Sequence, residues 1–232
     1  MTNIVFQKSS GIFIIIVAIG FTLSQIGITK FFNYPEILRQ PAQNVLRAYY
    51  DKKGKIKPCW VIFSLSSLML TAISGIFYRL LNTNNTPYLI IGTFFGTAAS
   101  IFYVIGLMRW VFLADTISSK YMTVNASEKE KDNLIIIFEA FHVYCGNSIG
   151  ETMGFLCMGL WIIMVGFAIT ATTILPWEIG LLYIACGFGI GIAPMEWTGF
   201  KAANKINKIS MKILMACLLI TGAFLITKPL SF

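Results

Sequence analysis

Few ionisable side chains lie within or beside the apolar segments of this chain, and these few have the clearest potential for chemistry. They are Arg109, Glu139, His142, Glu151 and Glu196. Charged side chains are costly inside a bilayer and mark ligand sites, ion pathways and proton relays there. In the six-span topology derived below, all five lie near the same face of the membrane, the cytoplasmic one. The sequence therefore predicts a polar cluster that binds or passes a small ligand, an ion or a proton.

The spacing within this set suggests a second kind of chemistry. Glu139 and His142 are three residues apart, so a helix places a carboxylate and an imidazole on one face, as a metal or a shared proton requires. Glu151 would point to the opposite side of a continuous α-helix, since nine residues make two and a half turns. It joins the pair only if the chain bends near residues 146–150. A divalent metal at Glu139, His142 and Glu151 is then one hypothesis and a shared proton is another. Bis-histidine haem is excluded because His142 is the only histidine, whereas a haem with one histidine ligand is not.

Each of these residues also has a purely structural interpretation. Arg109 beside a tryptophan fits a side chain that reaches the interfacial aromatic belt. Glu196 fits an exposed carboxylate at the same interface, and Glu139 with His142 fits a hydrogen-bonded pair that fixes a helix. These alternatives stay open at the level of sequence.

The composition identifies the class of protein that must position these residues. Of the 232 residues, 56% are apolar and only 12% are charged, against about 25% charged in soluble domains. The net charge of +8 fits basic loops beside a membrane better than a nucleic-acid surface, so no nucleic-acid partner is expected. The five cysteines are scattered without a CxxC pair, which gives no support to a disulfide framework or a zinc site.

A hydrocarbon core of about 30 Å takes around 20 apolar residues per helix. The chain is predicted to be one all-α membrane domain, a polytopic bundle, with its first apolar run an uncleaved span. The six predicted spans cover about residues 11–29, 59–81, 87–114, 151–173, 177–194 and 206–227. Amphipathic interfacial helices are predicted after spans 1 and 3, at about residues 35–51 and 133–149. A re-entrant segment and a protruding part of span 4 are the alternatives for residues 133–149.

Loop charges orient this topology. The loops after spans 1, 3 and 5 hold fourteen Lys and Arg residues, and the opposite side holds three. A separate crossing at residues 134–149 would reduce the contrast to eleven against six. Because cytoplasmic loops are enriched in Lys and Arg, the protein is predicted to lie in the cytoplasmic membrane of a bacterium with both termini on the outer side.

The first loop is predicted to contact lipid. Its helix would end near Gly54 and carry Lys52, Lys53, Lys55 and Lys57, a basic amphipathic element suited to anionic lipid headgroups. A protein partner or a second copy of the chain is the alternative occupant. Glycine pairs four residues apart, such as Gly187 and Gly191, are predicted to let helices approach closely in lipid.

Three blocks of sequence together resemble a known family. They are FNYPEILR at residues 32–39, GLMRWVF at 106–112, and FEAFHVY at 138–144 followed by GE at 150–151. The blocks resemble a widespread bacterial family of small six-helix membrane proteins catalogued as a domain of unknown function. The resemblance covers nearly the whole chain and implies a helical inner-membrane protein in which Arg109, Glu139, His142 and Glu151 are family-type positions. It implies no substrate, cofactor or reaction.

Three functions are therefore compatible with the sequence. The first is a non-catalytic membrane protein that binds or passes a small ligand, ion or proton at its inner face, because no nucleophile motif is found. The second is a membrane-embedded, metal-dependent or acid–base enzyme acting on a lipid-like substrate. The third is a structural or regulatory partner whose polar cluster only holds helices together.

Overall fold

The protein is a bundle of long helices. The computed structural model describes residues 2–123 and 127–228, and no strand occurs within these ranges. In chain order the α-helices are α1 (Thr2–Phe32), α2 (Ala42–Leu68), α3 (Leu70–Leu81), α4 (Leu89–Met108), α5 (Ala114–Tyr121), α6 (Glu128–Phe141), α7 (Gly154–Thr170), α8 (Trp177–Gly191) and α9 (Ala202–Thr227). Two 3₁₀-helices, Glu36–Arg39 and Ala193–Thr198, and two π-helices, Arg109–Leu113 and His142–Met153, complete the described helical elements.

Neighbouring helical elements join into six helices that are long and apolar enough to cross a membrane. These are Ile4–Phe32, Ala42–Leu81, Leu89–Tyr121, Glu128–Thr170, Trp177–Thr198 and Ala202–Thr227. The predicted all-α, six-span membrane bundle is confirmed. Because successive spans alternate in direction, the loops after spans 1, 3 and 5 lie at one end of the bundle, called the basic end here.

The preferred prediction of a break before span 4 is wrong, and the alternative in which residues 133–149 extend span 4 is the one that the structure shows. Glu128–Thr170 is one helix of 43 residues, about 65 Å long at 1.5 Å per residue, which is twice the hydrocarbon thickness. The predicted interfacial helix at 133–149 is the first half of this helix. Where the sequence suggested a bend at residues 146–150, the chain widens into the π-helix His142–Met153 and continues.

The predicted stop at Gly54 is also wrong, because α2 continues through it to Leu68. Tyr49, Ile56 and Trp60 are fully buried on either side of the glycine, and their spacing extends one apolar stripe along the helix. A glycine inside a helix costs about 1 kcal/mol relative to alanine, which burial of three such side chains exceeds. The predicted interfacial helix at 35–51 is therefore a short 3₁₀-helix followed by the start of the second span.

Glycines bring neighbouring helices together, as their spacing predicted. A Cβ atom built on Gly159 of α7 would lie 2.6 Å from Gly191 Cα and 2.7 Å from the Gly187 carbonyl oxygen of α8. A Cβ on Gly106 of α4 would lie 2.9 Å from Gly150 Cα. The two helix pairs are in backbone contact, and the second contact joins the two spans that carry Arg109 and Glu151.

An aromatic cluster fixes spans 1, 2 and 3 at the basic end. The rings of Trp60 and Trp110 stack with centroids 5.2 Å apart, and Phe32 packs edge-on against Trp110. The Tyr49 hydroxyl donates a 2.6 Å hydrogen bond to the Trp110 carbonyl oxygen. This cluster forms one wall of the cavity described next.

Candidate ligand-binding cavity

A partly open cavity lies between the helices near the basic end. Its empty space, counted together with the opening to the surroundings, is about 640 Å³. The polar side chains in its lining include Tyr34, Trp60, Ser67, Tyr103, Arg109 and Glu151. The apolar walls include Phe21, Phe63, Phe155, Met158, Met211 and Met215.

Arg109 enters the cavity from a π-helical turn of span 3. The amide of Ala114 bonds to the Arg109 carbonyl oxygen five residues earlier, which is the π-helical pattern. The Arg109 guanidinium donates to the Gly106 carbonyl oxygen and lies over the Trp110 ring, 5.2 Å from its centroid. Arg109 is thus directed into the bundle and does not reach outward to an interfacial aromatic belt.

Glu151 reaches the same cavity because of the second π-helix. A π-helix holds roughly one residue more per turn than an α-helix, so nine residues make about two full turns rather than two and a half. Glu151 therefore returns to the side of the helix on which His142 lies. A bend was predicted to bring Glu151 to this side of the helix. The wider turns of residues 142–153 bring it there instead.

Opposite charges meet in this cavity without forming a pair. Within the described residues, Glu151 makes no hydrogen bond, and the ion pairs do not include one between Glu151 and Arg109. Arg109 and Glu151 are nevertheless the two charged side chains that line this cavity. A bound group could therefore contact both.

Three buried polar atoms of the lining residues lack partners within the described part of the chain. They are Nε of Arg109, Nε1 of Trp60 and the hydroxyl oxygen of Tyr103. Buried polar groups in proteins are almost always hydrogen-bonded to protein or water, and an unsatisfied one costs about 1–3 kcal/mol. All three atoms belong to residues that line the same cavity.

Tyr34, in the loop between the first two spans, contributes a neutral phenol. Its ring packs edge-on against Trp60 with centroids 5.5 Å apart. Burial raises the pKa of the Tyr34 phenol, and the Glu151 carboxylate raises this pKa further. The phenol is consequently a hydrogen-bond donor or acceptor at neutral pH and carries no charge.

The other three predicted site residues lie outside the cavity lining. His142 packs against Trp110 and Phe138, with ring centroids 5.8 Å and 5.6 Å away, and its buried Nδ1 has no partner among the described residues. Glu139 is exposed. Glu196 forms an ion pair with Arg39 and accepts a 3.0 Å hydrogen bond from Asn204 Nδ2. The structure thus brings Arg109 and Glu151 together and leaves Glu139 apart from them.

A metal site is not formed by these side chains. Over residues 2–123 and 127–228, no three His, Cys, Asp or Glu side chains come together in a way that could hold a metal ion. Glu139, His142 and Glu151 are therefore not such a group.

Sequence reasoning missed the aromatic polar groups of this site. Tyr34, Trp60 and Tyr103 stand far apart in the chain, and each has the sequence context of an ordinary buried aromatic residue. A signal for Tyr34 was present, because it lies in the first block that carries the family resemblance. Trp60 and Tyr103 have no comparable signal, since their significance depends on unpartnered atoms that only the packed bundle defines.

Fold and cavity together define a multi-pass helical membrane protein with a mixed polar and apolar pocket. Residues 9–228 match the family described as Domain of unknown function (DUF4386), and the chain belongs to that family. Comparison with curated proteins gave no match, and comparison with solved structures gave none.

Proposed function

We propose that this protein binds a small amphipathic ligand in the cavity, with the polar part of the ligand at Arg109 and Glu151. The observation that carries this proposal is the set of three unpartnered donors, on Arg109, Trp60 and Tyr103, around one space. Methionine and phenylalanine side chains line the rest of the cavity and suit an apolar body, since methionine adapts to guests of different shape.

Native mass spectrometry of the purified full chain tests this proposal. Dodecyl phosphate and a phospholipid mixture of phosphatidylethanolamine and phosphatidylglycerol are suitable probes. We expect wild type to retain dodecyl phosphate or phosphatidylethanolamine, and Arg109→Ala to retain neither of these two. Lys120→Ala, which removes an exposed lysine, is the matched control and should bind like wild type. Equal retention by all three proteins would refute the proposal.

We further propose that the basic end of the bundle faces the cytoplasm of a bacterial cell and that both termini lie outside. Fourteen Lys and Arg residues at this end against three at the other support this orientation. Cysteine labelling with a membrane-impermeant maleimide tests it in intact cells, on a background that lacks the native cysteines. A cysteine at Asn84, in the loop after span 2, should react, and one at Lys201 should react only after lysis.

Anionic lipid headgroups are proposed to contact Lys52 and Lys55. Both residues are exposed, whereas the Lys57 ammonium lies 2.6 Å from Asp115 and that of Lys53 donates to the Ser119 hydroxyl. Of the four predicted lysines, two are exposed and two have polar partners on another helix of the same chain. Retention of phosphatidylglycerol should fall in Lys52→Gln/Lys55→Gln and be unchanged in the control Lys120→Gln.

A further inference from the structure

Arg109 and Glu151 have opposite charges and line one cavity, yet no ion pair joins them within the described residues. An unpaired charge in a low-dielectric site is costly, so both groups need partners. We propose that the ligand is zwitterionic, a phosphate ester that carries an ammonium group, with its phosphate at Arg109 and its ammonium at Glu151. This inference rests on the proposed function and specifies its ligand.

The phosphate is assigned to Arg109 because arginine is a cation and because the unpartnered atoms of the lining residues include two N–H donors. Arginine has no acceptor, and its planar fork matches the oxygens of a phosphate. Arg109 Nε and Trp60 Nε1 are both N–H donors without partners among the described residues. Tyr103 adds a hydroxyl that is free to donate. An anion with several acceptor oxygens has the hydrogen-bonding capacity that these three groups lack.

The ammonium is assigned to Glu151 because a carboxylate accepts hydrogen bonds and attracts cations. The Glu151 carboxylate has no hydrogen bond within the part of the chain that the structure describes. Tyr34, Trp60 and Trp110 also line the cavity, and aromatic faces attract ammonium groups.

Charge balance separates a zwitterion from a simple anion. Arg39 and Glu196 neutralise each other outside the cavity lining, so Arg109 and Glu151 are the charges that the guest meets directly. A phosphate without an ammonium would satisfy Arg109 and face repulsion from Glu151. A headgroup with both charges satisfies the two side chains together.

Such a headgroup has two sources, a membrane phospholipid and a free phosphate ester. Membrane position and the apolar walls around Phe63, Met158 and Met215 favour the lipid. The test therefore includes dioleoyl-phosphatidylethanolamine, dioleoyl-phosphatidylglycerol and soluble O-phosphoethanolamine. Phosphatidylglycerol has the same phosphate and the same chains but no ammonium.

The experiment is native mass spectrometry of the full chain with equal amounts of the two lipids. We expect wild type to prefer phosphatidylethanolamine by about tenfold, the effect of one charge-assisted hydrogen bond. Glu151→Gln should still bind lipid but lose this preference, and Glu151→Asp should keep most of it. Glu178→Gln removes an exposed carboxylate at the start of α8 and should leave the preference unchanged. Arg109→Gln, made in the Lys52→Gln/Lys55→Gln background that lacks the proposed surface contact, should bind neither lipid.

The outcomes separate this inference from the proposed function. If wild type binds both lipids equally and Glu151→Gln changes nothing, the zwitterion is refuted while amphiphile binding stands. If wild type and Arg109→Gln are equally free of both lipids and of dodecyl phosphate, the proposed function fails as well. Competition by O-phosphoethanolamine at the concentration that lipid requires would support the zwitterion with a soluble source. Binding of the lipid alone would support a membrane source.

Discussion

The guanidinium of Arg109 occupies the space that a side chain at Gly146 would fill. A Cβ atom built on Gly146 would lie 2.5 Å from Arg109 Cζ and 2.9 Å from Nη1. Gly146 belongs to the π-helix of span 4. Because it has no side chain, the Arg109 side chain of span 3 has room to point into the cavity. The position of Arg109 thus depends on a glycine 37 residues away in the sequence.

The first prediction is that Gly146→Ala weakens ligand binding more than it destabilises the fold. The new methyl group meets the end of a flexible side chain, which can move at little cost, but the movement takes the guanidinium away from the ligand. We expect affinity for the retained lipid to fall about tenfold, with a small change in Tm. Native mass spectrometry and thermal unfolding measure the two effects.

Gly75→Ala is the matched control for this variant. Gly75 lies inside α3 with nothing within 4 Å of a built Cβ, so alanine there should leave lipid binding unchanged. Wild-type affinity in Gly146→Ala would show that the guanidinium is not the binding group.

The second prediction concerns the contact between α7 and α8. In Gly159→Ala the new methyl group meets backbone atoms of Gly191 and Gly187, which cannot move without separating the helices. Overpacking of this kind costs about 1–3 kcal/mol, so Tm should fall clearly below that of wild type. A Cβ atom built on Gly54 has nothing within 4 Å. Gly54→Ala should therefore match or exceed wild-type stability, because alanine favours the helix. Equal Tm values for the two variants would contradict the proposed helix contact.

Apolar runs in the sequence predicted the number of spans correctly because about 20 consecutive apolar residues have few other uses. Helix ends were predicted less well, as Gly54 illustrates. The cost of a glycine in a helix is local, whereas burial of Tyr49, Ile56 and Trp60 depends on neighbouring spans. Local signals lose to tertiary packing at such positions.

The meeting of Arg109 and Glu151 was predicted for a correct reason and by a wrong route. Scarce charges at one level of the bundle indicated a shared site, and the angular argument required a change of direction near residues 146–150. No sequence rule distinguishes a bend from a π-helix in a glycine-rich segment. Either one can turn Glu151 to the side of the helix on which His142 lies. The close approach of Gly106 to Gly150 is a tertiary contact that the sequence alone does not specify.

The third prediction uses the raised pKa of Tyr34. The folded protein holds the phenolic proton above the ordinary pKa of 10.0, whereas the unfolded chain releases it there. The contribution of this phenol to the free energy of unfolding is therefore complete below pH 10 and declines as pH rises through the folded-state pKa. Tm should fall between about pH 9 and about pH 11 by more in wild type than in Tyr34→Phe.

Tyr34→Phe keeps every lysine, so the alkaline titration of lysines is common to both proteins and cancels in the comparison. Parallel curves of Tm against pH would contradict the burial of the phenol beside Glu151.

The fourth prediction concerns the ion pairs that hold the 3₁₀-helix Glu36–Arg39 to the last two spans. Arg39 pairs with Glu196, and the Lys208 ammonium lies 3.5 Å from a Glu36 carboxylate oxygen. The side chains of Arg39 and Glu196 are 51% and 25% exposed, so their pair stabilises by about 0.2–1 kcal/mol. Arg39→Glu should therefore leave Tm almost unchanged but speed amide exchange within residues 36–40, by up to about fivefold.

A charge exchange provides the decisive comparison. Arg39→Glu/Glu196→Arg restores opposite charges and should return exchange in residues 36–40 towards the wild-type rate, while Lys120→Glu reverses an exposed lysine elsewhere at the basic end and should leave that rate unchanged. Hydrogen–deuterium exchange with mass spectrometry measures all four proteins. Because Tyr34 lies next to this 3₁₀-helix and lines the cavity, faster exchange in Arg39→Glu should be accompanied by faster lipid release. If the double variant exchanges as fast as Arg39→Glu, the ion pair does not hold this segment, and the cavity wall at Tyr34 is held by its aromatic contact with Trp60.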